Sequence, residues 1–188
     1  MYNFPKDFYS DVRIEHIYSS HIRIEMGRLE EIKESNDSGA FIRLFDGKKW
    51  YYSSTTDLDS INQELANLAS LATPNPEVNK HPLVVRLQKN SGDCCRFQKN
   101  NVKNVHLHDK LALAKEYAKV VENDPEINFW SANYSDSNLV KEFSSSIGCN
   151  VKFDTQISGM RIGFKFGSGA DGFSEMWCKA FTSFEELK

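Results

Sequence analysis

Apolar and polar residues alternate with period two through Asp11–Leu58, in successive runs each closed by a turn signal. Ile22, Ile24 and Met26 fall on one side of an extended chain, with Arg23 and Glu25 on the other. Ala40, Ile42 and Leu44 repeat the pattern after Asn36-Asp37-Ser38-Gly39, and Trp50 and Tyr52 do so after Asp46-Gly47. Alternation punctuated by Asn, Asp and Gly predicts an antiparallel meander with one buried face over residues 11–54. Asp46-Gly47 is the most specific of the turns, because Asp-Gly suits tight hairpin turns that need positive φ.

The period then changes. Leu58, Ile61, Leu65, Leu68 and Ala72 follow one another at helical spacing, predicting an amphipathic helix over 57–72 that Pro74 and Pro76 close. Thr56 stands three residues before Asp59, in the arrangement of a capping box. Residues 73–105 carry little periodicity and are expected to be irregular, with one short strand at Leu83–Leu87. A second helix is expected over 108–122, with Leu107, Leu111, Ala114, Ala118 and Val121 as its stripe and Asn123-Asp124-Pro125 as its end. Alternation returns over 126–182, where Gly148 and Ser158-Gly159 divide strands.

This second strand region echoes the first. Tyr18-Ser19-Ser20 precedes Gly39 and the run AFIRLF, as Tyr134-Ser135-Asp136 precedes Gly159 and the run MRIGFKF. The expected fold is one α+β domain over residues 1–188: a mostly antiparallel sheet of two strand meanders, two amphipathic helices packed on one face, and a weak internal duplication.

Composition narrows the function classes. The 188 residues hold 23 basic and 26 acidic side chains, for a net charge of −3, and the signs are interspersed. No basic block is present to neutralise phosphates, so direct nucleic-acid binding is not expected. Apolar residues make up 40% of the chain without a run of the roughly 18 that a membrane span needs. The N-terminal MYNFPKDFYSD lacks the basic and apolar regions of a secretory leader, so a cytoplasmic chain with reduced thiols is expected.

Candidate chemistry is sparse. His16, His21, His81, His106 and His108 show no zinc-ligand spacing, and His106 and His108 suit surface positions at a helix start better than a metal site. Cys94-Cys95 lacks the basic surroundings and the Cys-x-x-Cys spacing of a redox pair, and adjacent cysteines rarely close a comfortable disulfide. Cys149 and Cys178 alternate with apolar residues and are expected to face the core. Gly167-Ser168-Gly169-Ala170-Asp171-Gly172 matches the dinucleotide fingerprint literally, but the next segment, FSEMWCKAF, alternates like a strand, so a glycine-rich link between strands is the better reading. Trp50, Tyr51, Tyr52, Phe129 and Trp130 lack an accompanying basic stripe and are expected to pack across strands rather than stack on bases. No catalytic, cofactor-binding or metal-binding residues can be assembled from this set.

Four stretches carry a resemblance. They are Gly27-Arg28-Leu29-Glu30-Glu31 after a strand; Asp37-Ser38-Gly39 with Ala40–Leu44 behind it; Ser53-Ser54-Thr55-Thr56-Asp57-Leu58 opening a helix; and the run from Asp109-Lys110-Leu111 through Tyr134-Ser135-Asp136-Ser137 to Arg161-Ile162-Gly163-Phe164. Their order resembles the N-terminal domain of the TldD/PmbA family, also called modulators of DNA gyrase. The likeness is good over 10–72 and fair over 107–166. It implies an α+β domain that in family members precedes a larger β-rich domain, where the TldD branch carries a His-Glu-x-x-x-His zinc site and cleaves peptides. This sequence contains no such motif, so the resemblance assigns no catalytic residue and no zinc ligand to it. What it implies here is a cytoplasmic scaffold for assembly and substrate confinement in proteolysis or peptide maturation. The implied partners are a homologous subunit, in a homo- or heterodimer, and an extended or unfolded peptide; the edge-strand-rich pattern of the sequence suggests that such a peptide adds to an exposed strand. The alternative is a stand-alone interaction module without peptidase activity.

Overall fold

The computed structural model describes residues 2–167 and 172–188. Seven strands form one sheet in the order β3-β2-β1-β5-β6-β4, with β7 also paired to β6. They are β1 (Tyr9–Glu25), β2 (Arg28–Phe45), β3 (Trp50–Thr55), β4 (Ser91–Cys94), β5 (Ile127–Ser145), β6 (Asn150–Phe166) and β7 (Phe173–Phe181). The helices are α1 (Ile61–Leu71), α2 (Pro82–Val85), α3 (Leu107–Glu122) and α4 (Phe184–Leu187). The architecture is the α+β one expected, with β4 on β6 a parallel pair beside antiparallel ladders such as β2–β3 and β6–β7.

Two compact units share the long strands. The first comprises residues 1–16, 37–96 and 140–154; the second comprises 17–36, 97–139 and 155–188. In the first unit, Val12, Ile14, Ala40, Ile42 and Leu44 pack against Ile61, Leu65 and Leu68 of α1. These are the positions that the two periodicities single out, at spacing two on the strands and three to four on the helix. A second cluster of Tyr9, Phe45, Val78 and Val84, with Trp50 and Ile147 against it, completes that unit. In the second unit, Ile22, Ile24, Trp130, Ala132, Met160 and Ile162 pack against Leu113, Ala114, Ala118 and Val121 of α3 and against Phe184 and Leu187 of α4.

Several local expectations are corrected. Asn36–Gly39 makes no turn, because β2 runs unbroken through it; the chain reverses earlier, at Met26 and Gly27, both with positive φ (46° and 78°). Pairing along β1 outweighs the local turn preference, and Ser38 is engaged through its hydroxyl, 2.8 Å from His16 Nδ1. Ser158-Gly159 likewise lies inside β6. Glycine serves there for a close approach, since a Cβ would come within 3.2 Å of the Lys179 carbonyl. The helical start at Leu58–Ser60 is a 3₁₀ turn capped by Asp57, whose carboxylate accepts from Asp59 N–H at 3.1 Å, in place of the capping box at Thr56.

Within the irregular 73–105, Leu83–Leu87 holds the short helix α2, not a strand. Pro82 at its first turn presets helical φ, and His81 Nδ1 accepts from Leu83 N–H. The Asp46-Gly47 turn is present, with Gly47 at φ 95°. The Asp46 carboxylate accepts from Lys48 and Lys49 N–H at 2.7 and 2.8 Å.

Candidate functional site

The buried polar groups of the second unit converge on helix α3. Lys110 stands on the same stripe as Ala114, Ala118 and Val121, so the helix that buries them also buries its ammonium. Lys110 Nζ lies 2.7 Å from Asp136 Oδ2, and both side chains are fully buried. It donates to Tyr18 Oη at 2.8 Å and Ser20 Oγ at 3.1 Å, which satisfies its three protons. Asp136 accepts from Ser20 Oγ at 2.7 Å, from Ser20 N–H at 3.2 Å and from the Tyr134 hydroxyl at 2.6 Å. Burial, and then the adjacent Asp136 carboxylate, push the Tyr134 pKa far above the ordinary phenol value. A charge pair so completely bonded holds strands to helix. Its ammonium has no free proton or lone pair to offer a substrate.

The first unit contains a comparable group. Tyr9 donates to Asp11 Oδ2 at 2.9 Å, and Arg43 grips the same carboxylate through Nη2 at 2.6 Å and Nε at 2.9 Å. The guanidinium lies 4.9 Å from the Trp50 ring centroid, and Trp50 stacks on Phe45 at 4.8 Å. Both groups are built on the tripeptide Tyr-Ser-Asp, at 9–11 and at 134–136. In each, tyrosine and aspartate two apart on a strand share a face, so the hydroxyl reaches the carboxylate. The echo of Tyr18-Ser19-Ser20 in Tyr134-Ser135-Asp136 gains a physical sense, since both segments meet at Lys110.

The second unit also presents an open concavity of about 460 Å³. Its lining includes His21 of β1, Asn133, Ser135 and Ser137 of β5, Ile157 and Arg161 of β6, and Cys178 of β7. These positions alternate with the buried Trp130, Ala132, Tyr134, Met160 and Ile162 and so belong to the sheet face turned from α3. Gly159 and Ala180, directly paired, keep its floor low. His21 Nδ1 lies 3.7 Å from a Glu31 oxygen. Arg161 and Lys179 bring cations, and His21 and Asp136 further polar groups, to a wall of hydroxyls, an amide and apolar side chains. That set suits the hydrogen-bonding edge and side chains of an extended peptide better than any bond-breaking chemistry.

The remaining sequence candidates stay separate. His106 is the exposed N-cap residue of α3, and exposed His108 lies 3.6 Å from Asp109. His81 packs edge-on against Phe45 at 5.0 Å. Among the described residues no group of three or more His, Cys, Asp or Glu converges to hold a metal, so this donor set does not fit the zinc of the resembled family. The Cys95 thiol is pushed up to about 11 by burial and by its hydrogen bond to Asp93, the opposite of what a reactive thiolate needs. Cys149 is buried as expected, whereas Cys178 is exposed, because among the described residues no layer covers β7 on that side. The Gly167–Gly172 motif has its central residues 168–171 outside the described residues. Among the described residues no helix is long and apolar enough to cross a membrane.

Residues 10–73 match the family model described as PmbA/TldA metallopeptidase domain 1. No curated protein matches the chain. Among solved structures, a candidate modulator of a DNA gyrase from Thermotoga maritima aligns over 96% of this chain and 41% of its own, with a TM-score of 0.71 at 14% identity. A candidate modulator of DNA gyrase from Bacteroides thetaiotaomicron aligns over 95% and 42%, with a TM-score of 0.70 at 14% identity. TldE from Thermococcus kodakarensis aligns over 93% and 40%, with a TM-score of 0.62 at 12% identity. The likeness extends the shared fold beyond residue 73, and the chain spans about two-fifths of the length of each of these proteins.

Proposed function

We propose, from the match of residues 10–73 to the model of PmbA/TldA metallopeptidase domain 1, that this chain is a scaffold for peptide handling and subunit assembly. It holds an extended peptide for proteolysis or peptide maturation carried out by a peptidase of that family, and it supplies no catalytic group itself. The observation that carries this reading is the open sheet face of the second unit. Its roughly 460 Å³ concavity combines the Arg161 cation, the Ser135 and Ser137 hydroxyls and the apolar Ile157 over a floor of Gly159 and Ala180. An extended chain laid there would find partners for its amides and for an acidic side chain or C-terminal carboxylate.

The test is a titration of fluorescently labelled unfolded acidic peptides, followed by anisotropy. Binding that weakens about tenfold on Arg161→Glu, the scale of a lost charge-assisted contact, is the expected result. Absence of binding at millimolar peptide, or binding indifferent to Arg161, would count against it.

A second reading treats the chain as a stand-alone interaction module. It draws on the description of two fold relatives as candidate modulators of DNA gyrase. A change in gyrase supercoiling activity on addition of the purified chain, with no peptide binding, would favour that alternative.

A further inference from the structure

Strand β7 reads Phe173-Ser174-Glu175-Met176-Trp177-Cys178-Lys179-Ala180-Phe181. It is bonded to β6 along one side through nine residue pairs, from Phe166↔Phe173 to Ser158↔Phe181. Among the described residues no strand lies along its other side. Its large apolar side chains remain open: Phe173 is 55% exposed, Met176 60%, Trp177 40% and Phe181 37%. The edge formed by the first half of β2 in the same unit is different, with Arg28, Glu30, Glu31, Lys33 and Glu34 in close succession. That is how proteins blunt an edge against pairing. On β7 only Glu175 and Lys179 are charged.

Those two charges are placed symmetrically about Trp177, and so is the rest of the strand. Laid antiparallel against a second copy with Trp177 opposite Trp177, Glu175 faces Lys179 and Lys179 faces Glu175. In the same register Phe173 faces Phe181, Ser174 faces Ala180 and Met176 faces Cys178. Directly opposed residues of an antiparallel pair lie on the same face and interact, and unlike charges, aromatic pairs and small–small pairs are the favourable combinations. A two-fold axis through the strand centre requires this exchange, in which residue i meets j and j meets i. Neighbouring packing already orients the face: Trp177 stacks on Tyr117 at 5.4 Å, Phe173 stacks on Phe166 at 5.0 Å, and Lys179 Nζ sits 5.0 Å from the Phe181 ring centroid.

We propose that β7 is a self-complementary docking edge whose partner is β7 of a second copy of this chain, the two sheets joining across a two-fold axis centred on Trp177. This names the partner in the assembly part of the function proposed above and rests on that reading. The face that would hold peptide shares Lys179 with this edge but not Glu175, so Glu175→Lys perturbs the edge alone.

Charge exchange at the edge tests it, read by sedimentation velocity of the 188-residue chain with circular dichroism as the folding control. The wild-type chain is expected to form dimers. Lys179→Glu sets Glu against Glu twice, and Glu175→Lys sets Lys against Lys twice. Each alone should raise the dimer dissociation constant about tenfold or more. Mixing the two single variants restores opposite charges at every contact and should restore dimers, as should the double variant Glu175→Lys/Lys179→Glu. A monomeric wild-type chain would overturn the pairing, and if such a chain still binds peptide the substrate-holding reading stands. Dimers that persist in both single variants, or a mixture that stays monomeric, would also overturn it. Persistent dimers would leave assembly through another surface in place.

Discussion

Lys110→Met removes a fully buried ammonium while keeping much of the aliphatic volume of its stem. Asp136 is then left charged, buried and without its cation 2.7 Å away. Taking one partner from a buried ion pair costs about 3–5 kcal/mol. Asp136 keeps three donors, two from Ser20 and one from Tyr134, which places the expected loss near the lower end, about 3 kcal/mol. Folded domains have about 5–15 kcal/mol in total, so the effect is large. Asp136→Asn alone strands the lysine instead. In the double variant neither charge is left unpaired, so its loss should fall short of the summed single losses by about 1–3 kcal/mol. Urea denaturation followed by circular dichroism measures all four proteins. A Lys110→Met loss below about 1 kcal/mol, or strict additivity, would refute the view that this pair locks α3 to the sheet.

Other parts of the fold give sharper local expectations. Burial opposes ionisation of Asp46, but the Lys49 and Lys48 amides and the Tyr51 hydroxyl outweigh it and hold the carboxyl below its ordinary value of 3.8. A depressed folded-state value means that the stabilisation is complete above pH 3.8 and is lost as pH falls through the lower folded value. Urea melts from neutral pH down into the acid range should show an acid-side loss that Asp46→Ala reduces, since the variant lacks the titrating group. Leu65, fully buried against the first unit's sheet, should cost about 2–5 kcal/mol on truncation to alanine. Val120, 78% exposed on α3, should shift stability by less than about 0.5 kcal/mol on the same truncation, both read by urea denaturation.

The sheet and both long helices were legible because their residues repeat at the periods that extended and helical chains impose. Ile22, Ile24, Ile42 and Leu44 on strands, and Leu65, Leu68, Ala114 and Ala118 on helices, are core residues in the structure as in the pattern. Strand ends were less legible. Asn36–Gly39 and Ser158-Gly159 have turn chemistry, but pairing with neighbours distant in sequence carries β2 and β6 straight through them. Leu83–Leu87 alternates weakly, and the proline at the start of α2 decided the matter for helix.

The polar clusters had two signals in the sequence. Lys110 falls on the apolar stripe of its helix, and Tyr-Ser-Asp occurs at both 9–11 and 134–136. The partners Arg43, Tyr18 and Ser20 depend on strand neighbours that no local pattern specifies. The exposure of Cys178 reflects which side of β7 lacks a covering layer, and alternation alone cannot tell two uncovered faces from one.

Hydrogen–deuterium exchange of the whole chain, alone and with a saturating unfolded acidic peptide, reads out directly whether the open face holds peptide. Slowed exchange is expected, confined to the segments that line the open face, around Ser135–Ser137, Ile157–Arg161 and Cys178–Ala180. Unchanged exchange there, or protection that appears only on α1 and β3 of the first unit, would contradict it.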